Sequence, residues 1–170
     1  DLMSRVSYGI MNEGGAAEMT KAVCEGLQQL IAGGAEQAGC KTDDVLEVVL
    51  VGNPVMHHLL LGIDPVELGG APFALAVDTA TEIKADEINL SLNKGSRIYI
   101  LPCIAGHVGA DAAGVVLAEA PQDGSDVQLL IDVGTNAEIV LGNKDRLLAA
   151  SSPTGPAFEG AQISSGQRAA

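Results

Sequence analysis

Apolar positions along the chain fall into two rhythms. From Ala16 to Ala32 they recur at Met19, Val23, Leu27, Leu30 and Ile31, three and four residues apart, which predicts a helix with one buried face. Gly33-Gly34 is expected to punctuate it, and the shorter Ser4 to Ile10 stretch is also compatible with a helix. Leu46 to Val51 and Arg97 to Leu101 are largely apolar runs of strand length, the first ending in Gly52-Asn53-Pro54 and the second in Pro102. Pro54 stands where a helix over Val55 to Leu61 would begin, the position at which a missing amide proton costs nothing. A further helix, rich in small residues, is predicted over Ala112 to Ala120. Leu75 to Leu92 is poorly patterned; within it Asp86 to Leu90 reads as a strand or an irregular edge.

After Pro121 to Asp126, read as a linker between a mixed α/β part (1–120) and a second part (127–170), the rhythm shortens. Gln128 to Val133, Ala137 to Leu141 and a third run to Ala150 alternate with the turns Asp132-Val133-Gly134-Thr135-Asn136 and Gly142-Asn143-Lys144-Asp145. This predicts a meander of antiparallel strands. Gly155-Pro156 closes it, and Ala157 to Ala161, containing Glu159, is expected to begin a helix.

Composition narrows the function classes. Hydrophobic residues make up 47% of the 170 and aromatic residues only 2%, so the core is built from Ala, Val, Leu and Ile. A formal net charge of −13 argues against a nucleic-acid surface, which needs clustered Lys and Arg. It does not exclude ATP, because a loop of backbone amides plus a magnesium ion neutralises phosphates locally. Cys24, Cys40 and Cys103 lack metal-site spacing and read as free thiols of a reducing compartment. With no apolar run of roughly 18 to 20 residues and no signal peptide, a cytoplasmic location without membrane contact is expected. Both ends fall inside what reads as ordered sequence, so the chain is expected to be a piece of a longer protein.

The Asp132 to Asn136 turn is the strongest chemical candidate. Gly134 presents no Cβ to a group seated in the turn, Thr135 and Asn136 can donate to phosphate oxygens, and Asp132 can face a hydrated magnesium ion. The same residues also make an ordinary hairpin turn whose Asp and Asn bond their own backbone. His57 and His58 are adjacent on a helix and so point about 100° apart; one is expected to be packed and the other solvated. Asp111 reads as a first-turn helix residue or as a polar group directed into a nucleotide cleft.

Three segments taken together resemble a known family: Val51-Gly52-Asn53-Pro54-Val55-Met56-His57-His58-Leu59-Leu60-Leu61-Gly62-Ile63-Asp64-Pro65, the Ile131 to Asn143 hairpin, and Gly155-Pro156-Ala157-Phe158-Glu159-Gly160-Ala161. They are similar to the central and C-terminal parts of the reductive activators of corrinoid proteins, of the superfamily of acetate and sugar kinases, heat-shock chaperones and actin. The resemblance implies part of an actin-like (ribonuclease-H-like) α/β ATPase fold, with mixed sheets and flanking helices. It implies ATP-driven return of a cobalt(II) corrinoid to cobalt(I), with the electron supplied by a two-iron, two-sulfur cluster in an N-terminal domain outside this chain. The implied partner is a corrinoid protein or a corrinoid-dependent methyltransferase; a homodimer is left open.

By the same resemblance, Asp132, Gly134, Thr135 and Asn136 match the second phosphate loop of the superfamily, with Asp132 near the hydrated magnesium. Gly155, Glu159 and Gly160 are expected to border the nucleotide. Two positions depart from the family pattern: Pro54-Val55 replaces the usual Thr-Thr pair, and Gln167 stands where Met is common. Two other classes fit less well. A small-molecule kinase of the superfamily needs an acidic base beside a substrate pocket, for which Asp111 is the one candidate. A non-catalytic interaction module needs no such group.

Overall fold

The computed structural model describes residues 2–134 and 136–155. Two helices in contact open it, α1 (Leu2–Met11) and α2 (Gly15–Ala38), with Gly14 in a left-handed conformation between them. Strand β1 (Glu47–Leu50) follows and leads directly into α3 (Pro54–Leu60). Strands β2 (Thr81–Lys84) and β3 (Arg97–Ile100) complete a sheet in the order β1-β3-β2, with β1 and β3 parallel and β2 antiparallel to β3. Helix α4 (Ala110–Glu119) then leads to a meander of β4 (Gln128–Val133), β5 (Asn136–Asn143) and β6 (Arg146–Pro153).

The parallel β1–β3 pair sets the architecture, because parallel neighbours need a crossover, and α3 supplies part of it. On one side of this sheet, Ile98 and Ile100 of β3 bury against Cys24, Leu27 and Ile31 of α2 and against Ala85, Ile88 and Leu90. A second cluster joins Val6 of α1, Val55 and Leu59 of α3, and Leu68. Leu101, Cys103 and Ala110 make a third, at the start of α4.

Several expectations change. Helix α2 does not stop at Gly33-Gly34 but runs to Ala38, where Gly39 in the left-handed conformation donates to the last carbonyls. Burial of Ala35 offsets the intrinsic weakness of the two glycines. Asp86 to Ile88 lies in a single tight helical turn (Ala85–Ile88), so the irregular alternative holds; the strand of that region is the preceding β2. His57 and His58 are both buried, at 3% and 1% exposure. Their rings do diverge, but α3 is packed on nearly every side, so neither direction reaches solvent.

The stretch after α4 is tied down. Pro121–Asp123 forms a tight turn with Pro121 buried, Gly124 accepts from the Lys144 amide (2.9 Å), and Ser125 accepts from the Asn143 side chain (2.8 Å). In the meander, Leu130, Asp132, Glu138, Val140 and Ser151 share one face, which is half-buried or buried. Leu129, Ile131, Val133, Leu141 and Leu148 share the other, which is exposed.

Candidate functional site: an acidic rung beside a hairpin turn

Hairpin register builds the site. β4 and β5 pair with Val133 opposite Ala137 and Asp132 opposite Glu138, and β6 places Ser151 opposite Glu138. Side chains directly opposite one another lie on the same face, so Asp132, Glu138 and Ser151 form one polar rung across three strands. The Ser151 hydroxyl donates to Glu138 Oε1 at 3.1 Å.

Beyond the rung, the turn is closed from two directions. The Gly134 amide donates to the Asn136 carbonyl at 2.8 Å, and the Thr154 hydroxyl donates to the Gly134 carbonyl at 3.1 Å. That second bond brings the end of β6, with Gly155 in a left-handed conformation (φ 93°), against the turn. Among the described residues, a Cβ at Gly134 would find nothing closer than the Asn136 carbonyl oxygen at 3.7 Å, an ordinary contact. Thr135, Glu159, Gly160 and Gln167, and the helix expected from Ala157, lie outside the described residues.

Helix α4 adds the third carboxylate. The Gly52 carbonyl accepts from the Ala110 amide (2.9 Å) and the Asp111 amide (3.4 Å), pinning the start of α4 against the Gly52-Asn53-Pro54 turn. Asp111 sits in the first helical turn, and its Oδ1 accepts the Ala112 amide at 2.9 Å. It therefore stabilises the helix start and also lies close enough to Asp132 and Glu138 to feel their charge. Burial raises the Asp111 pKa first, opposed by the Ala112 amide, and the charge of Asp132 raises it further. Glu138 is raised likewise, first by burial, against the Ser151 hydroxyl, then by the charges of Asp111 and Asp132. The arrangement concentrates negative charge at the mouth of a hairpin turn, where a cation would relieve it.

Sequence reasoning singled out Asp132 and Asp111 but passed over Glu138, Ser151 and Thr154. A signal for Glu138 existed: Asp132 and Glu138 are equally spaced about the turn, so any register closing on Val133 and Ala137 puts them on one rung. Ser151 and Thr154 depend on the β5–β6 register, which polar residues alone do not reveal.

His58 is pinned at both ring nitrogens: Nδ1 lies 2.9 Å from the Pro54 carbonyl, and Nε2 accepts the Ala76 amide at 3.0 Å. The N–H is thus assigned to Nδ1, and His58 binds the loop before β2 to α3. The side chain of Asn53 caps α3 through the Met56 amide (2.9 Å), so the turn carrying Pro54-Val55 in place of two hydroxyl residues is a well-made helix start.

A small mixed sheet with a parallel pair, helices on its face, and an antiparallel meander whose first turn carries an Asp-x-Gly-Thr-Asn motif define part of an actin-like α/β fold. Residues 1–122 match the family model of the RACo middle region, and residues 126–170 match that of the C-terminal domain of RACo, the ASKHA domain. The chain belongs to the RACo family.

The "Corrinoid activation enzyme RamQ" of Eubacterium limosum is 35% identical over 168 residues, which are 99% of this chain and 28% of that protein. The "[Co(II) methylated amine-specific corrinoid protein] reductase" of Methanosarcina barkeri is 42% identical over 72 residues, 42% of this chain and 13% of that protein. A solved structure, "Reductive activator for corrinoid,iron-sulfur protein", superposes with a TM-score of 0.89 at 36% identity, covering 99% of this chain and 27% of that one. The chain thus spans little more than a quarter of the length of the relatives it matches throughout.

Proposed function

We propose that these 170 residues are part of an ATP-dependent reductive activator that returns a cobalt(II) corrinoid protein to cobalt(I). The observation that carries this reading is a match over 99% of the chain to a corrinoid activation enzyme. The acidic rung supplies its chemistry. Asp132 holds a hydrated magnesium ion through water, Gly134, Thr135 and Asn136 offer donors to phosphate oxygens, and Gly155, Glu159 and Gly160 border the nucleotide.

The donor set fits this use. Among the described residues, no three His, Cys, Asp or Glu side chains are grouped closely enough to grip a metal directly. Carboxylates spread around a turn suit a hydrated ion, since magnesium gives up its waters reluctantly. Bound Mg-ATP would supply the charge neutralisation and the free energy of hydrolysis. Asp111 and Glu138, whose carboxyl pKa values are raised first by burial and further by neighbouring carboxylates, add to the negative field around Asp132. The cysteines do not fit an iron–sulfur cluster: Cys24 and Cys103 are buried in separate clusters and Cys40 is exposed. The two-iron, two-sulfur centre of the full-length protein therefore belongs to other residues.

In this reading the boundary between two parts of the ATPase region lies at 121–126, and ATP binding biases a conformation that the corrinoid partner recognises. The size of that bias is limited by the difference in nucleotide affinity between the two conformations. No described helix is long and apolar enough to cross a membrane. The test is direct. Full-length protein with a reduced cluster should convert the absorption spectrum of a cobalt(II) corrinoid protein to that of cobalt(I) on addition of ATP. A spectrum unchanged by ATP overturns the reading.

A further inference from the structure

Strand β6 does more than close the meander. Its last pair with β5 sets Pro153 opposite Asn136. Proline has no amide proton to donate to a ladder, and β6 ends there. Two residues on, Gly155 is left-handed at φ 93°, a conformation that side chains other than glycine rarely adopt. Thr154 stands between the rigid proline and this bend. Its hydroxyl reaches the turn between β4 and β5, donating to the Gly134 carbonyl at 3.1 Å.

That bond is not needed for register, which the eight paired residues of β6 already fix. Ser151 supplies the contrast: its hydroxyl donates to Glu138 Oε1, inside the polar rung. Thr154 instead holds a main-chain carbonyl at the one glycine of the turn. Glycine rotates about its backbone bonds more freely than any other residue. At Gly134 the amide is held by the Asn136 carbonyl at 2.8 Å, and the carbonyl is held by Thr154.

Which way that carbonyl points decides what the turn can bind. C=O and N–H lie on opposite sides of a trans peptide group, so rotation of the group after Gly134 would exchange a donor for an acceptor. Phosphates are cradled by amides. A carbonyl oxygen in the same place repels them, beside a rung that already carries Asp132 and Glu138. We propose that Thr154 is a positioning residue of the phosphate-binding turn: its hydroxyl holds the Gly134 carbonyl toward β6, so that the same peptide group offers a phosphate its amide and not its oxygen. The inference rests on the ATP reading above and adds to it a side chain that does not touch nucleotide.

Titration of the full-length protein with magnesium and AMP-PNP, a non-hydrolysable ATP analogue, tests this without turnover or corrinoid. Thr154→Val keeps the shape of the side chain and removes the donor. It should weaken AMP-PNP binding about tenfold, because the group it misplaces faces a charged ligand. Adenosine has no phosphate; measured by displacement of a fluorescent adenine nucleotide, it should bind parent and variant within about twofold of each other. Thr154→Ser restores the donor and should return AMP-PNP affinity to within about threefold of the parent. Unchanged AMP-PNP affinity in Thr154→Val overturns the proposal. So does an equal loss for AMP-PNP and adenosine, the mark of a merely structural tie, or a serine variant as weak as the valine one. A parent protein that binds no AMP-PNP refutes the ATP reading itself, and the proposal with it.

Discussion

Gly109 sits where the start of α4 meets the Gly52-Asn53 turn, and replacing it with alanine tests how that contact is built. Its backbone (φ −85°, ψ −169°) is one that any residue adopts, so the substitution carries no conformational penalty. The cost is steric. A Cβ there would lie 2.7 Å from the Asn53 Cα, 2.7 Å from the Gly52 carbonyl oxygen and 2.7 Å from Asp111 Oδ1. Two of those three are backbone atoms, so α4 must move away from the Gly52-Asn53 turn. Overpacking of this kind costs about 2 kcal/mol, and weakening the Gly52–Ala110 hydrogen bond adds about 1 kcal/mol. A loss of about 3 kcal/mol at some 2–4 °C per kcal/mol lowers the melting temperature by about 6 to 12 °C.

Gly114→Ala, one turn further along α4, is the matched control. Its Cβ meets only side-chain atoms, Val51 Cγ1 at 3.3 Å and Leu101 Cδ2 at 3.9 Å. The gain in helix propensity, about 0.5–1 kcal/mol, offsets the small adjustment of Val51, and melting should stay within about 3 °C of the parent. Thermal unfolding followed by circular dichroism separates the two. A Gly109→Ala protein that melts within about 2 °C of the parent, or a Gly114→Ala protein that falls as far, would refute the steric argument. In the full-length protein Gly109→Ala should also lower ATP turnover by displacing Asp111; full activity would detach α4 from the site.

Further outcomes follow from the rung and the histidines. Asp132→Ala in the full-length protein should reduce ATP hydrolysis by at least tenfold, and unchanged turnover would remove Asp132 from the site. Glu138→Gln should gain stability relative to the parent as pH rises. Raised carboxyl pKa values contribute stability below their ordinary values, 4.5 for Glu138, which is lost as pH climbs through the raised ones. A stability difference that does not vary with pH, measured by urea unfolding between acid and neutral conditions, contradicts this. The histidines act in the opposite sense: their lowered pKa values give stability above the ordinary 6.5 that is lost as pH falls. His58→Phe should abolish the His58 share of that loss and cost about 2 kcal/mol by stranding the Ala76 amide and the Pro54 carbonyl. Wild-type stability for this variant would refute the pinning role.

The elements legible in the sequence were those whose packing repeats along the chain. Met19, Leu27 and Ile31 mark the buried face of α2, and runs of Val, Ile and Leu mark β1, β3 and the meander. β2 was illegible because only Ile83 of its residues is apolar and its partner lies beyond the next turn. The end of α2 was misplaced because Gly33-Gly34 outweighs the buried Ala35 locally, whereas packing decides globally. The acidic site divides in the same way. Its turn could be read from Asp132 to Asn136, but the meeting of Asp111 with Glu138 depends on how α4 lies against β4, a distance that no spacing records.

The rung across β4, β5 and β6 also dictates where this chain tolerates insertion. Strand side chains alternate faces, so one residue added within β5 would rotate everything beyond it to the opposite side. Glu138 would then take the place of Ile139 and Ile139 that of Val140, carrying the carboxylate off the Asp132 rung and onto the opposite, aliphatic side. Lys144 and Asp145, at the far turn, lie outside the paired register. A fluorophore or epitope spliced there leaves the charges on their side of the sheet, which makes that turn the position of choice for attaching a reporter.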